Sequence, residues 1–205
     1  VRPRTARRDD AHRAGFPGHG RSHGQSRSGT RAMTTALLLV DLQNDFLHPD
    51  GAYARGGAVS DAARALPARL APVVAAAHRM GVPVIATCFT LVPDANGEPM
   101  VAEHLKKLRP FLRRGDFAAG SWGHGVVDEL QPVDAVVEKV AYSAFLHTRL
   151  EWLLRQWNVH HVTVAGIVTN GGVASTVRDA HARGFHVRVL SDGCAAFDTR
   201  VHDAT

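Results

Sequence analysis

Short, largely apolar runs alternate along the chain with longer stretches in which apolar residues recur at helical spacing. Continuous rather than alternating hydrophobicity is typical of strands that are buried on both faces of a parallel sheet. The runs that predict strands lie at 36–40, 82–87, 133–138, 162–167 and 187–191. We therefore expect five strands in a mostly parallel sheet.

The longest helical pattern covers 61–80. Its apolar face is formed by Leu66, Leu70, Val73, Val74 and Ala77. Gly81 follows it, and glycine is common directly after a helix. Pro67 and Pro72 lie inside the pattern and would delay the start of the helix or kink it.

Three further helices are predicted between or after the strands. One covers 101–109, and another runs from about Val173 to Arg183. The third follows strand three, where Thr148 and Glu151 have the spacing of a capping box. Strands that alternate with helices form β-α-β crossovers, so the pattern predicts a three-layer α/β fold with helices on both faces of the sheet.

The first 32 residues break this pattern. They contain eight Arg and two Asp, many Gly, Ser and His, and no hydrophobic period. Such a composition cannot bury enough apolar surface to offset the entropy of ordering. We predict that 1–33 is a disordered basic extension, with Met33 as the natural start, and that 34–205 is the folded domain. Because the chain stops soon after the fifth strand, we also expect that this domain lacks its last elements.

The charge distribution argues against nucleic acid as a partner. The formal net charge is +5, but outside the basic extension 16 basic and 17 acidic residues leave the remainder at −1. Nucleic-acid binding needs a basic stripe on a folded face. No run of about 18 apolar residues predicts a membrane span. Two cysteines form no disulfide framework, which is expected of a cytoplasmic protein.

Candidate chemistry lies where the predicted strands end. Asp41 follows strand one, Lys139 follows strand three, and a turn of small residues, Thr169 to Gly172, follows strand four. In an open α/β sheet, ligands bind beyond the carboxyl ends of the strands. A carboxylate, an ammonium group and free N–H groups would form a proton-transfer site with an anion cradle. Alternatively, Asp41 is only a turn former and Lys139 is solvated.

Several segments together resemble the isochorismatase-like hydrolase superfamily, which includes the cysteine hydrolases. They are LLLVDLQNDF at 38–46, GSWGHGVVDEL at 120–130, EKVAYSAFLHTRLEWLL at 138–154, VAGIVTNGGVASTVRDA at 164–180 and VLSDGCAAF at 189–197. The resemblance implies a Rossmann-like sheet flanked by helices, a homodimer or homotetramer, and a small-molecule substrate. It also implies that Asp41 and Lys139 are catalytic, and that a cis peptide bond joins Val168 to Thr169 beside the oxyanion hole.

One position departs from the cysteine hydrolases. Their turn carries a nucleophilic cysteine where this chain has Gly172. Glycine cannot attack a carbonyl group, and neither Cys88 nor Cys194 lies in that turn. The covalent mechanism of the cysteine hydrolases therefore cannot run in its usual form.

Isochorismatases resemble this chain in having glycine at that position, and they hydrolyse a vinyl ether without a covalent intermediate. By analogy, Asp41 would protonate the vinyl carbon and Lys139 would hold the carboxylates electrostatically. However, Thr169 and Asn170 follow the cysteine-hydrolase pattern, and TCFT at 87–90 lacks the substrate-binding Gln of isochorismatases. Vinyl ether hydrolysis is the leading hypothesis, with hydrolysis of an amide by activated water as a less favoured variant. The alternative is a catalytically silent member that binds a ligand or forms oligomers.

The remaining site predictions concern metal and the walls of the pocket. Nicotinamidase-like relatives carry an Asp-x-His and a further His after strand two, whereas 87–94 contains no His, so we predict no metal and no other cofactor. The turn residues Val168, Thr169 and Asn170 are predicted to contact substrate. Three aromatic residues flank the motifs and would wall a pocket, unless they are ordinary core residues. They are Phe46, Trp122 and Tyr142.

Overall fold

The computed structural model describes residues 34–205, and five parallel strands form its central layer. The strands are β1 (Thr34–Val40), β2 (Val84–Phe89), β3 (Ala135–Lys139), β4 (Val159–Ile167) and β5 (His186–Ala195). Their order across the sheet is β3-β2-β1-β4-β5, and all neighbours pair in parallel. The predicted parallel sheet is therefore confirmed.

The central strand β1 explains why its sequence is apolar at successive positions. Leu37 and Leu39 belong to the hydrophobic core on one face of the sheet, and Leu38 and Val40 belong to the core on the other face. Since successive side chains of a strand point to opposite faces, a strand covered on both faces must be apolar throughout.

Helices cover both faces. In the described residues they are α1 (Asn44–Leu47), α2 (Ala52–Arg55), α3 (Asp61–Arg64), α4 (Leu66–Arg79), α5 (Glu103–Leu108), α6 (Leu150–Gln156), α7 (Ala174–Ala182) and α8 (Thr199–Asp203). Leu66 and Leu70 of α4 pack into the first core, whereas Leu150 and Leu154 of α6 pack into the second. The three-layer arrangement is confirmed.

The predicted helix over 61–80 is divided into α3 and α4. Ser60 begins the first piece, since its side chain accepts a hydrogen bond from the N–H of Ala63 at 3.2 Å. Pro67 lies in the first turn of α4, where its missing N–H has no helical partner to lose, and Pro72 lies inside that helix.

The predicted capping box before α6 was wrong. The N-cap residue is Arg149, which makes no side-chain cap bond. Thr148 Oγ1 does accept from the N–H of Leu150 at 3.1 Å, but Glu151 turns away to pair with Arg155 and Arg183. Two nearby guanidinium groups offer this carboxylate charged partners.

The fifth strand is longer than predicted. A register shift between Val164 and Gly166 of β4 lets pairing continue, with Gly166 opposite Cys194 and Ile167 opposite Ala195. The prediction of disorder for 1–33 lies outside the described residues, and the domain boundary at 33 and 34 stays a prediction. Among residues 34–205, no helix is both long and apolar enough to cross a membrane.

Candidate active site

Asp41 and Lys139 meet at the carboxyl edge of the sheet. Asp41 directly follows β1, and Lys139 is the last residue of β3. The Nζ atom of Lys139 lies 2.6 Å from Oδ2 of Asp41. Strand β2 lies between the two, and Lys139 Nζ is 5.6 Å from the ring centroid of Phe89 at the end of β2. The lysine side chain therefore passes over the end of the intervening strand.

The backbone and a neighbouring hydroxyl hold the Asp41 carboxylate in place. Asp41 adopts a left-handed conformation, with φ of 57°, which aspartate tolerates better than most residues. Thr87 Oγ1 donates to its Oδ1 at 3.1 Å, and the N–H of Asp41 donates to the carbonyl of Thr87 at 3.0 Å. Lys139 also donates to the carbonyl of Ala141 at 3.0 Å. The side chains of Asp41 and Lys139 are only 7% and 2% exposed.

Burial dominates the acidity of this carboxyl group. Loss of hydration raises the pKa of Asp41, while the Lys139 ammonium and the Thr87 hydroxyl act in the opposite direction without cancelling the rise. A carboxyl group with a raised pKa is a stronger base when ionised and keeps its proton to higher pH. Both properties suit proton transfer at a buried site.

Gly172 lies beside this pair. We call residues Thr169–Val173, one turn of π-helix between β4 and α7, the glycine turn. A Cβ atom at Gly172 would lie 3.2 Å from Asp41 Oδ2, 3.1 Å from the carbonyl oxygen of Ile167 and 3.3 Å from Val40 Cγ1. A side chain at position 172 would therefore start next to the carboxylate. The structure brings Asp41, Lys139 and Gly172 together, while their catalytic roles stay predictions.

The other predicted turn residues differ in exposure. Thr169 is buried, and its Oγ1 lies 2.7 Å from Nδ1 of His202, whereas Asn170 is exposed. In the described part of the chain, the backbone N–H groups of Thr169 and Asn170 have no hydrogen-bond acceptor. Such groups can receive an anion or a developing oxyanion.

The expected position of the cis peptide bond was wrong by one residue. The bond lies between Ile167 and Val168 rather than after Val168. Strand β4 ends at Ile167, as predicted, so the bond lies where the chain leaves the sheet. Val168 still contacts the glycine turn, because its carbonyl accepts from the N–H groups of Gly171 and Val173 at 3.0 and 3.2 Å.

The three predicted pocket aromatics are not brought together. Phe46 lies in the hydrophobic core, with ring centroids 4.6 Å from Tyr53 and 4.5 Å from Phe117. Trp122 is exposed and lies edge-on to His48 at 4.8 Å. Tyr142 is also exposed, and its ring is 3.4 Å from the Cβ position of Gly171. Of the three, Tyr142 is the one that borders the glycine turn.

Sequence reasoning missed the polar residues that follow Asp41. Gln43 is fully buried, donates to the carbonyls of Phe89 and His124 at 3.0 and 2.9 Å, and accepts from the N–H of Phe89 at 2.7 Å. Asp45 accepts from the N–H of Phe117 at 2.6 Å. These bonds attach the 117–126 loop and the end of β2 to the segment after β1. The polar residues 43–45, which closely follow a predicted buried strand, could have indicated these bonds.

Other parts of this edge hold neither a reactive thiol nor a cluster of metal ligands. Burial raises the pKa of Cys88 to about 12 and that of Cys194 to about 11, so both thiols stay protonated near neutral pH. No group of three or more His, Cys, Asp or Glu in residues 34–205 is placed to hold a metal ion. The prediction that no metal is used stays a prediction.

Two surface cavities lie away from the Asp41–Lys139 pair. One, of about 240 Å³, is lined by residues that include Arg109 and Phe197. The other, of about 280 Å³, is lined by residues that include Asp134 and Trp157. Neither lining contains Asp41, Lys139 or Gly172, and the ion pair is buried.

Known proteins with similar sequences are hydrolases. The chain is 34% identical over 176 residues to the ureidoacrylate amidohydrolase RutB of Pantoea ananatis, a match that covers 80% of this chain and 70% of the relative. Further ureidoacrylate amidohydrolases, such as that of Serratia proteamaculans, match at a similar level.

Solved structures give the same assignment. A cysteine hydrolase from Pseudomonas syringae pv. phaseolicola superposes with a TM-score of 0.67 at 28% identity, covering 79% of this chain and 72% of that one. The N-carbamoylsarcosine amidase of Thermoplasma acidophilum superposes with a TM-score of 0.66 at 27% identity, covering 83% and 90%. The sequence model of the isochorismatase domain matches residues 35–205, and the chain therefore belongs to the isochorismatase family of hydrolases.

Proposed function

We propose that the chain hydrolyses a small molecule by proton transfer through Asp41, without a covalent enzyme intermediate. The observation that carries this proposal is the buried ion pair of 2.6 Å between Asp41 and Lys139, directly beside the side-chain position of Gly172. Because Gly172 has no side chain, the Asp41 carboxylate faces the position where the side chain of a cysteine would begin. In this proposal the nucleophile is a water molecule beyond that position, where the sulfur of a cysteine would lie, and Asp41 is its base.

A carbonyl carbon bound to nitrogen is the substrate group that the ion pair favours. Lys139 stabilises the ionised form of Asp41, and an ionised carboxylate accepts protons rather than donating them. In this reaction Asp41 takes a proton from water, and the water oxygen attacks the carbonyl carbon. The resulting oxyanion is received by N–H groups of the glycine turn, and Asp41 returns the proton to the leaving nitrogen as the C–N bond breaks.

The relatives support this choice of bond. The ureidoacrylate amidohydrolases and the N-carbamoylsarcosine amidase are both named for substrates with a carbamoyl nitrogen. Thr169 and Asn170 keep the cysteine-hydrolase form of the turn. The substrate class is therefore a small ureido or amide compound.

Vinyl ether hydrolysis, which the sequence pattern placed first, is the second candidate. Gly172 favours it, because isochorismatases resemble this chain at that position. There Asp41 must be protonated at the start, since it gives its proton to the vinyl carbon before water adds to the oxocarbenium ion. Burial favours this protonation state and the Lys139 ammonium at 2.6 Å acts against it, so the ranking rests on the relatives, which are named for carbamoyl substrates, and we place this reaction second.

A substrate panel tests the proposal. Ureidoacrylate, N-carbamoyl amino acids and isochorismate are each incubated with the protein, with its Asp41→Asn variant, and with Asp192→Asn, which neutralises an exposed carboxylate in β5. We expect turnover of a carbamoyl compound that Asp41→Asn abolishes and Asp192→Asn preserves. Acid-quenched samples should contain no protein adduct by mass spectrometry. Turnover of isochorismate alone would favour the second candidate, and ligand binding without any turnover would support a silent family member.

A further inference from the structure

The glycine turn is held by a residue from the far end of the described chain. Thr169 Oγ1 and His202 Nδ1 lie 2.7 Å apart, a hydrogen bond in which either group can be the donor. Thr169 is buried at the start of the turn, so its hydroxyl needs a protein partner. In the described residues, that partner is His202.

Helix α8 lies on the surface of the domain. It begins after Asp198, whose side chain accepts from the N–H of Arg200 at 2.9 Å, and it buries none of its residues. Within α8, His202 and Val201 are partly shielded from solvent, and Val201 is 37% exposed. Of these two side chains, His202 is the one that bonds to the glycine turn.

The turn needs such an external support because of its composition. Gly171 and Gly172 follow one another, and glycine gives the backbone its greatest conformational freedom. Asn170 is exposed and makes no side-chain bond in the described part of the chain. Thus the polar side chain that fixes the start of the turn is Thr169, and the orientation of the neighbouring N–H groups depends on it.

We propose that His202 is a positioning residue for the hydrolytic site, which holds Thr169 and through it orients the glycine turn against Asp41. The inference rests on the proposed function, in which this turn receives the oxyanion. An interaction that matters mainly when charge develops lowers kcat when it is lost, while the binding of substrate changes little.

Three variants separate this role from simple anchoring of α8. His202→Ala removes the bond, and His202→Asn keeps an amide atom near the position of Nδ1. Arg200→Ala is the matched control in the same helix, since the Arg200 side chain is 90% exposed and contacts Asp198 rather than the turn. We expect His202→Ala to lower kcat on a turned-over carbamoyl substrate by about tenfold or more with KM within about threefold, the size of one lost hydrogen bond. His202→Asn should restore most of the loss, and Arg200→Ala should cause none.

A double-variant cycle identifies the partner. Thr169→Val removes the same bond from the other side, so Thr169→Val with His202→Ala should be no slower than the more impaired single variant. Additive losses would overturn the proposal. So would an equal loss of kcat in Arg200→Ala, because helix order rather than the histidine would then be responsible.

Amide hydrogen exchange tests the same idea without any substrate. Exchange of the amides of 169–173 should be faster in His202→Ala than in Arg200→Ala or the unaltered protein, and slower again in His202→Asn. Unchanged exchange in His202→Ala would overturn the proposal whatever the enzyme turns over. Faster exchange in a protein that hydrolyses no carbamoyl compound would instead support His202 and contradict the proposed function.

Discussion

The two regions that face each other at the carboxyl edge of the sheet are built in opposite ways. The segment 41–47 after β1 is fixed by its own side chains, because Asp41 and Gln43 accept hydrogen bonds from β2 and Asp45 accepts one from Phe117. In the glycine turn Gly171 and Gly172 have no side chain, Val173 packs into the second core, and Thr169 bonds to a distant helix. The charged groups are therefore held by bonds to the sheet, whereas the start of the glycine turn is held by a bond to α8.

The largest expected effect comes from removing the charged partner of Asp41. Lys139→Met leaves the carboxylate of Asp41 buried without its charged partner. We expect a loss of about 3–5 kcal/mol in the free energy of unfolding, measured by urea denaturation at neutral pH. Adding Asp41→Asn should restore a large part of this loss, because no uncompensated charge then remains. A loss below about 1 kcal/mol would mean that the pair is not desolvated as the structure indicates.

The next largest effect is expected from a substitution that introduces a side chain into the glycine turn. Gly172→Cys places Cβ 3.1–3.3 Å from three neighbours, which must move by a few tenths of an ångström. We expect a cost of about 1–3 kcal/mol in unfolding free energy, the usual range for a small overpacking. The variant should form a mass-detectable acyl adduct with a carbamoyl or amide substrate. Gly172→Ala is the control, with a similar cost in stability and no adduct. No adduct with any substrate would show that the turn cannot present a nucleophile to the ion pair.

A pH profile separates the two regions by charge, because the glycine turn contains no titratable side chain and Asp41 does titrate. Burial holds the pKa of Asp41 above its ordinary value. As a general base Asp41 must be ionised, so kcat/KM should fall as pH drops below this raised pKa, by up to about tenfold per pH unit. If Asp41 were the general acid of vinyl ether hydrolysis, kcat/KM would fall as pH rises through the same pKa. The direction of this limb, measured from pH 4 to 9, decides between the reactions.

The smallest effect is expected at the exposed tip of the turn. Asn170→Ala removes a side chain that makes no bond in residues 34–205 and should change the unfolding free energy by no more than about 0.5 kcal/mol. Thermal unfolding beside Thr169→Val measures this difference. If Asn170→Ala proved the more destabilising of the two, the turn would be held at its tip rather than by α8.

The sequence allowed much of the candidate site to be located. Asp41 and Lys139 are polar residues at the ends of apolar runs that predict buried strands. Because the carboxyl ends of parallel strands lie at one edge of a sheet, the two residues were expected to lie close together. The exact ends of helices and strands were harder to predict. The division of α3 from α4, the extension of β5 and the failure of the capping box before α6 depend on contacts between distant segments, which local periodicity does not report.

Phe46 and His202 show the same limit at individual residues. Phe46 is adjacent to the motif in sequence, but its ring packs against Tyr53 and Phe117 in the core. His202 lies outside every motif and 33 residues after Thr169, yet it contacts Thr169. Nearness along the chain was therefore a poor guide to which aromatic or polar side chain reaches the turn.

By itself, the sequence determined the parallel sheet, the family and the absence of a sulfur nucleophile at Gly172, because burial on both faces demands continuous apolar strands and the residue type alone decides whether a thiol exists. Only the tertiary structure decided that the Lys139 side chain crosses the end of β2 to within 2.6 Å of Asp41, and that α8 supports the glycine turn. Those contacts depend on side-chain directions and on the packing of elements remote in the chain, and both are set only when the whole domain has folded.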